Sequence, residues 1–177
     1  MPRSGKKAGR GAAPARLYTL KVTLLSGPVM EAFAQKNPVV SRTVQMTGGQ
    51  TLADLHDAIY DAFDREEEHM HEFQFGKRPM DRKARRYTIG SEAPFDLFEE
   101  GDEAGDVAVT TLDSLGLKAR GRFFYWFDFG DDWWHRIDVL RVEDEAPPGK
   151  YPRVTERVGD SPPQYPDWEE EGDEEAE

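Results

Sequence analysis

Cysteine is absent from all 177 residues, which excludes disulfides and thiolate metal ligands and removes any dependence on an oxidising compartment. No apolar run approaches the roughly 18 residues of a membrane-spanning helix, and the N-terminal charges are not followed by a hydrophobic signal core. A cytoplasmic protein with no membrane partner is the expectation. Histidine is scarce, at four residues, and the activated Ser or Tyr with arginine partners that recombinases need is not recognisable.

Positive charge is also short. The chain carries a net charge of −12, unevenly spread. Residues 1 to 16 hold five Lys or Arg and no acid, whereas residues 167 to 177 hold eight acids and no base, which leaves −9 on the body. Neither end has the large apolar residues that offset ordering entropy, so a disordered basic arm (1–16) and a disordered acidic tail (167–177) are expected around one domain, 17–166. An acidic body is a poor general surface for phosphates, and the basic arm is the expected contact for a nucleic acid, or for a protein partner.

Within the body, Leu17 to Leu25 alternates with Tyr18, Leu20, Val22 and Leu24 on one face, which predicts a half-buried strand. Residues 26 to 38 predict a long connection, and Val39 to Met46 a second strand pairing antiparallel with the first. Thr51 followed by Asp54 predicts a helix N-cap, and Leu52, Leu55, Ile59, Ala62 and Phe63 make one apolar stripe. His56 flanks that stripe. Residues 64 to 68 (DREEE) predict a solvated charge run, and HMHEFQF a third strand with His69, His71, Phe73 and Phe75 on one face. Lys77 to Arg86 is a local basic patch around Asp81, expected as a solvated loop. Residues 90 to 106 predict a further loop, TLDSLG a short helical turn, and the Pro-rich stretch after Val142 an extended wrap.

Aromatic residues are concentrated in FFYWFDFGDDWWHRIDVLRV, residues 123 to 142. Phe123 to Phe129 predicts a central strand covered on both faces, and Trp133 to Val142 the return strand of a hairpin. A two-residue turn at Asp131 and Asp132 would place Asp128 opposite His135. The fold expected is α+β: a curved, largely antiparallel sheet with one principal helix, Thr51 to Asp64, packed across it, and a β-grasp-like start.

YTLKVTL, TLADLH, HMHEF, FFYWFDFGDDWWHRIDV and KYPRV followed by SPP, in this order, resemble the plasmid pRiA4b ORF-3-like family over about residues 17 to 166. YWFDFGDDWWH is the most specific part. The resemblance implies an association with plasmids and mobile elements, some relatives being labelled transposon resolvases. Two departures stand out: PVVSRTV keeps only Pro38 and Arg42 of a Pro-x-x-Trp-Arg-Arg pattern, and Tyr151 to Trp168 lacks the cysteines that relatives often carry there.

Two function classes follow. The first is a non-enzymatic binding or adaptor domain linked to DNA transactions, with no cofactor. The second is a metal-dependent hydrolase or nuclease in which His69 and His71, sharing a strand face, bind a divalent metal with His135 and Asp128. In that alternative Asp128 and His135 are also the catalytic acid–base pair. Turn chemistry offers the simpler account of Asp128, Asp131 and Asp132, and core packing that of most of Trp126, Trp133 and Trp134.

Overall fold

The computed structural model describes residues 14–91 and 104–169. In chain order these form β1 (Leu17–Ser26), α1 (Glu31–Lys36), β2 (Ser41–Thr47), α2 (Leu52–Ala62), β3 (His71–Phe75), β4 (Arg85–Thr88), β5 (Gly105–Asp106), β6 (Arg122–Phe127), β7 (Trp133–Glu143) and β8 (Arg153–Val158). The architecture is α+β, an open eight-stranded sheet in the order β5-β4-β3-β6-β7-β1-β2-β8. Every pairing is antiparallel except β4 with β5, so the sheet is mixed. The dense aromatic segment occupies its centre, as its two-sided hydrophobicity requires.

The α2 helix starts where the sequence signals it. Thr51 Oγ1 accepts from the Asp54 amide at 3.2 Å, and the Asp54 carboxylate accepts from the Thr51 amide at 2.8 Å, a reciprocal cap in which Asp replaces the usual Glu. Leu52, Leu55, Ile59, Ala62 and Phe63 then pack on one sheet face against Leu20, Val44, Phe73, Phe123, Phe127 and Trp133. Trp133 is fully buried, and Gly27 makes room for it: a Cβ at position 27 would stand 2.2 Å from Trp133 Cε3.

Arg42 fastens the far end of α2. It is a charged residue on the core side of β2, 2 % exposed, and its Nε donates to the Ala62 carbonyl at 2.8 Å. The same guanidinium donates to Val158 O, Gly159 O and Ser161 Oγ, at 2.9–3.0 Å. One side chain therefore satisfies a last-turn carbonyl of α2 and holds the chain that follows β8.

Several expectations need correction. The connection 26 to 38 contains a second helix, α1, so the sheet has two helices rather than one. In the sheet β6 and β7 lie between β1 and β3, so the strand, strand, helix, strand order is split by the later hairpin. Arg85–Thr88 and Arg153–Val158 are strands, although their charge density gives them no hydrophobic alternation. The TLDSLG stretch does form a short turn, of 3-10 type, at Asp113–Leu115.

The hairpin register also differs. Tyr125, not Asp128, faces His135, and Phe127 faces Trp133. The loop is thus five residues, Asp128 to Asp132, rather than two. Asp128 and Asp132 both adopt positive φ (58° and 55°), and the Asp132 amide closes the loop on Asp128 O at 2.7 Å. Residues 1–13, 92–103 and 170–177 lie outside the described part, and with them most of both predicted tails. The last residues of the arm are tied to the body, since Ala15 O accepts from Ala146 N and Arg16 O from Gly48 N.

Candidate functional site

The face of the sheet beneath α2 carries a cluster built on His56, His71, Tyr125 and Glu68. Helical spacing from Leu52 turns His56 inward, and strand alternation turns His71 to the same side. The two imidazoles stack with centroids 3.6 Å apart and planes 5° apart. Tyr125, from β6, places its hydroxyl 2.6 Å from His56 Nδ1, and Glu68, from the loop after α2, places Oε1 2.6 Å from His56 Nε2. His71 differs from its neighbour in having no partner for either ring nitrogen, although both are buried.

Electrostatics keep the two imidazoles and the phenol of this cluster uncharged. Burial, helped by the adjacent His56, pushes the His71 imidazole down to about 3. Burial also lowers His56, opposed by the Glu68 carboxylate, and raises the Tyr125 phenol well above its ordinary value. Both imidazoles are therefore neutral at pH 7, the form in which they donate lone pairs. Among the described residues, His56, Glu68 and His71 each offer a ligand atom within 4.8 Å of the others.

The residues singled out from the sequence fall into different surroundings. His71 lies in the cluster just described. Strand β3 begins at His71, which leaves His69 outside the alternation, half-buried beside the hairpin loop. There its Nε2 is 2.7 Å from Tyr165 Oη and 3.4 Å from Asp128 Oδ2. Asp128 itself caps the hairpin loop, its Oδ1 accepting from the Gly130 and Asp131 amides at 3.1 and 3.2 Å. His135 shares the core face with His71 but is enclosed, packed edge-on to Phe63 and tilted against Tyr125. Its Nδ1 is 3.4 Å from Tyr125 O, its Nε2 has no partner, and burial with the neighbouring Arg65 charge holds it at about 3.

Arg65, hidden within the DREEE run, is a buried cation. It is 7 % exposed, with Cζ 3.8 Å above the Trp133 ring and 5.7 Å from that of Phe127. Neither Nη has a hydrogen-bond partner. Burial pulls its guanidinium down only to about 10, so the charge persists at neutral pH, held against aromatic faces. Trp126 and Trp134 stack with each other at 5.1 Å, separately from Trp133.

The segment between β3 and β4 presents Lys77, Arg78, Arg82 and Lys83 on the surface, joined by Arg85, the first residue of β4. Its backbone is held rather than loose: the Asp81 carboxylate accepts from the Lys77 and Lys83 amides at 3.0 Å, and Gln74 Oε1 accepts from the Met80 amide at 2.8 Å. Arg122 from β6 joins Lys77, Arg78 and Lys83 around a groove floored by Phe75 and Gly76. Arg86, by contrast, turns into the sheet and forms a buried ion pair with Glu72.

His56 and Glu68 had only faint signals in sequence. His56 falls four residues after Leu52 on the apolar stripe, where a polar residue calls for a partner. Glu68 lies in a run of acids in which nothing local separates a ligand from a solvated charge. What singles it out is tertiary, since Gln164 from the C-terminal segment pins its loop by accepting from the Glu66 and Glu67 amides and donating to Glu67 O.

The class defined by this geometry is an α+β domain with a central aromatic hairpin and a buried histidine pair under its main helix. The model of the plasmid pRiA4b ORF-3-like protein family matches residues 17–167, and the chain belongs to that family. No curated protein matches it. Among solved structures it is similar to a protein of unknown function, MM3350, from Methanosarcina mazei Go1, with a TM-score of 0.63 and 22 % identity. That similarity covers 85 % of this chain and 73 % of the other, and it concerns the fold. No helix among the described residues is long and apolar enough to cross a membrane.

Proposed function

We propose that the chain is a non-enzymatic binding or adaptor domain that contacts nucleic acid in the transactions of mobile elements. The observation that carries this reading is the basic segment between β3 and β4. Four exposed cations, with Arg85 at the start of β4 a fifth, stand around one acid on a chain whose net charge is −12. Phosphate affinity is set chiefly by local neutralisation, so a fixed island of this kind supports contact where the rest of the surface repels. The basic arm, residues 1 to 16, adds five further cations and serves as a second contact.

Fluorescence anisotropy with a labelled 20-base-pair duplex, and with one of its strands, tests this. Arg78→Glu/Lys83→Glu should weaken binding by at least about tenfold, and deletion of residues 1–13 should weaken it further. Failure of the wild-type chain to bind either probe more tightly than about 10⁻⁴ M, the weak end of non-specific binding, would end the reading.

The alternative, a metal-dependent hydrolase or nuclease worked by His69, His71, His135 and Asp128, requires these side chains around one point. They are divided among the His56 stack, the hairpin loop and the enclosed core. An enzymatic reading is better supported by the group that joins His71 to His56 and Glu68.

A further inference from the structure

We infer that His56, His71 and Glu68 hold one divalent transition-metal cation, with zinc the best match to two imidazole nitrogens and one carboxylate. The site lies apart from the basic loop on which the nucleic-acid reading rests. It draws on residues from the helix, from strand β3 and from the loop between them.

A hydrogen bond accounts for His56 and Glu68 by themselves. It does not account for His71. That side chain is 3 % exposed, stacked on His56 at 3.6 Å, and has both nitrogens buried without a partner. Buried polar atoms in folded proteins are nearly always paired, and two imidazoles stacked face to face direct their N–H groups and lone pairs in the ring planes and so cannot hydrogen-bond to each other. A cation bound by one nitrogen from each ring and one Glu68 oxygen supplies the missing partner. Its ligand atoms already lie within 4.8 Å of one another, and zinc bonds of about 2.0–2.1 Å require the two stacked rings, now 5° from parallel, to tilt so that one in-plane lone pair from each converges on the cation.

The surroundings fit the same purpose. Tyr125 Oη lies 2.6 Å from His56 Nδ1, which leaves Nε2 as the nitrogen directed to Glu68 and to the cation. When the cation takes the Nε2 lone pair, the imidazole proton resides on Nδ1 and is donated to the Tyr125 oxygen, an orienting contact typical of ligating histidines. Glu68 is 60 % exposed at its side chain, so the cation reaches the site from solvent on that side. Three protein ligands leave a fourth position there for water or an anionic group.

The test uses the full chain without a histidine tag, stripped with a chelator and titrated with zinc chloride against a chromophoric competitor. One zinc per chain is expected. Glu68→Gln changes an exposed side chain and should keep the fold while weakening zinc by at least about 100-fold. His71→Gln should do the same, and Tyr125→Phe should cost about 10–100-fold, the usual range for an orienting partner. Cobalt substituted for zinc should show the intense visible bands of a four-coordinate N/O site. Absence of stoichiometric zinc, or zinc binding left unchanged by Glu68→Gln and lost in His69→Gln, would overturn the assignment.

Discussion

The carboxylate of Asp128 stands 3.4 Å from the imidazole of His69, while His135 faces Tyr125 across the hairpin. The loop between the two strands is longer than a minimal turn, and Asp128 is the residue that closes it. Its role is then conformational: it holds two loop amides and a positive φ of 58°. Asp128→Ala should cost about 1–2 kcal/mol by losing the cap and straining the backbone, whereas Asp128→Asn should retain most of the stability. Urea denaturation of both variants checks this, and an Asn variant less stable than the Ala variant would contradict it.

How much of this was legible in the chain depends on range. The α2 cap and stripe, the first two strands and the aromatic hairpin follow from local pattern, and each lies within two residues of its predicted bounds. The hairpin register was not legible, because Gly130, Asp131 and Asp132 satisfy several turn lengths equally and only the packing of Trp133 under α2 selects one. Strand β8 was hidden since it lies at the sheet edge with mostly exposed side chains. The pairing of His56 with Glu68 and His71 was hidden because it joins a helix, a loop and a strand.

His135 should make the fold sensitive to acid. Its folded-state value, lowered to about 3 by burial and by the facing Arg65 guanidinium, lies below the unfolded value near 6.5. The unfolded chain therefore binds more protons between these limits, so stability is full above about pH 6.5 and falls as the pH drops toward 3. Each such histidine contributes a slope of about 1.4 kcal/mol per pH unit inside that window. Denaturation of the wild type and His135→Leu at several values between pH 4 and 7 should show the slope reduced by about that amount in the variant. Equal slopes would mean that His135 is charged in the fold.

Arg65 is the converse case, a charge held by rings without a hydrogen-bonded partner at either Nη. Replacing a buried charge by an apolar chain of similar length is often neutral or stabilising, so Arg65→Met should change stability by less than about 1 kcal/mol or raise it. Thermal unfolding at low and high salt measures it. A loss above about 3 kcal/mol would show that the guanidinium is bound to a partner.

Arg42 should behave in the opposite way because its guanidinium is saturated with acceptors. Arg42→Met removes the guanidinium donor from the Val158 and Gly159 carbonyls and one of the two donors from that of Ala62, where Arg157 remains, and should cost about 3–5 kcal/mol. Lysine lacks the forked geometry and should not rescue it. Limited proteolysis should then cut after residue 158 faster than in the wild type, and an unchanged cleavage pattern would detach the clasp from the C-terminal segment.

The reading of the domain as a nucleic-acid contact stands most directly on its salt dependence. Binding of the duplex should be measured from 20 to 200 mM salt for the wild type, for the chain lacking residues 1–13, and for Arg78→Glu/Lys83→Glu. Neutralising roughly three to five phosphates through the β3–β4 segment corresponds to a log–log slope of about −3 to −4.5, at about −0.9 for each phosphate contacted. The account predicts that slope in the chain lacking residues 1–13 and its reduction by at least about 2 in the charge-reversed variant. A slope that is the same with the loop charges reversed, or near zero in the wild type, would contradict it.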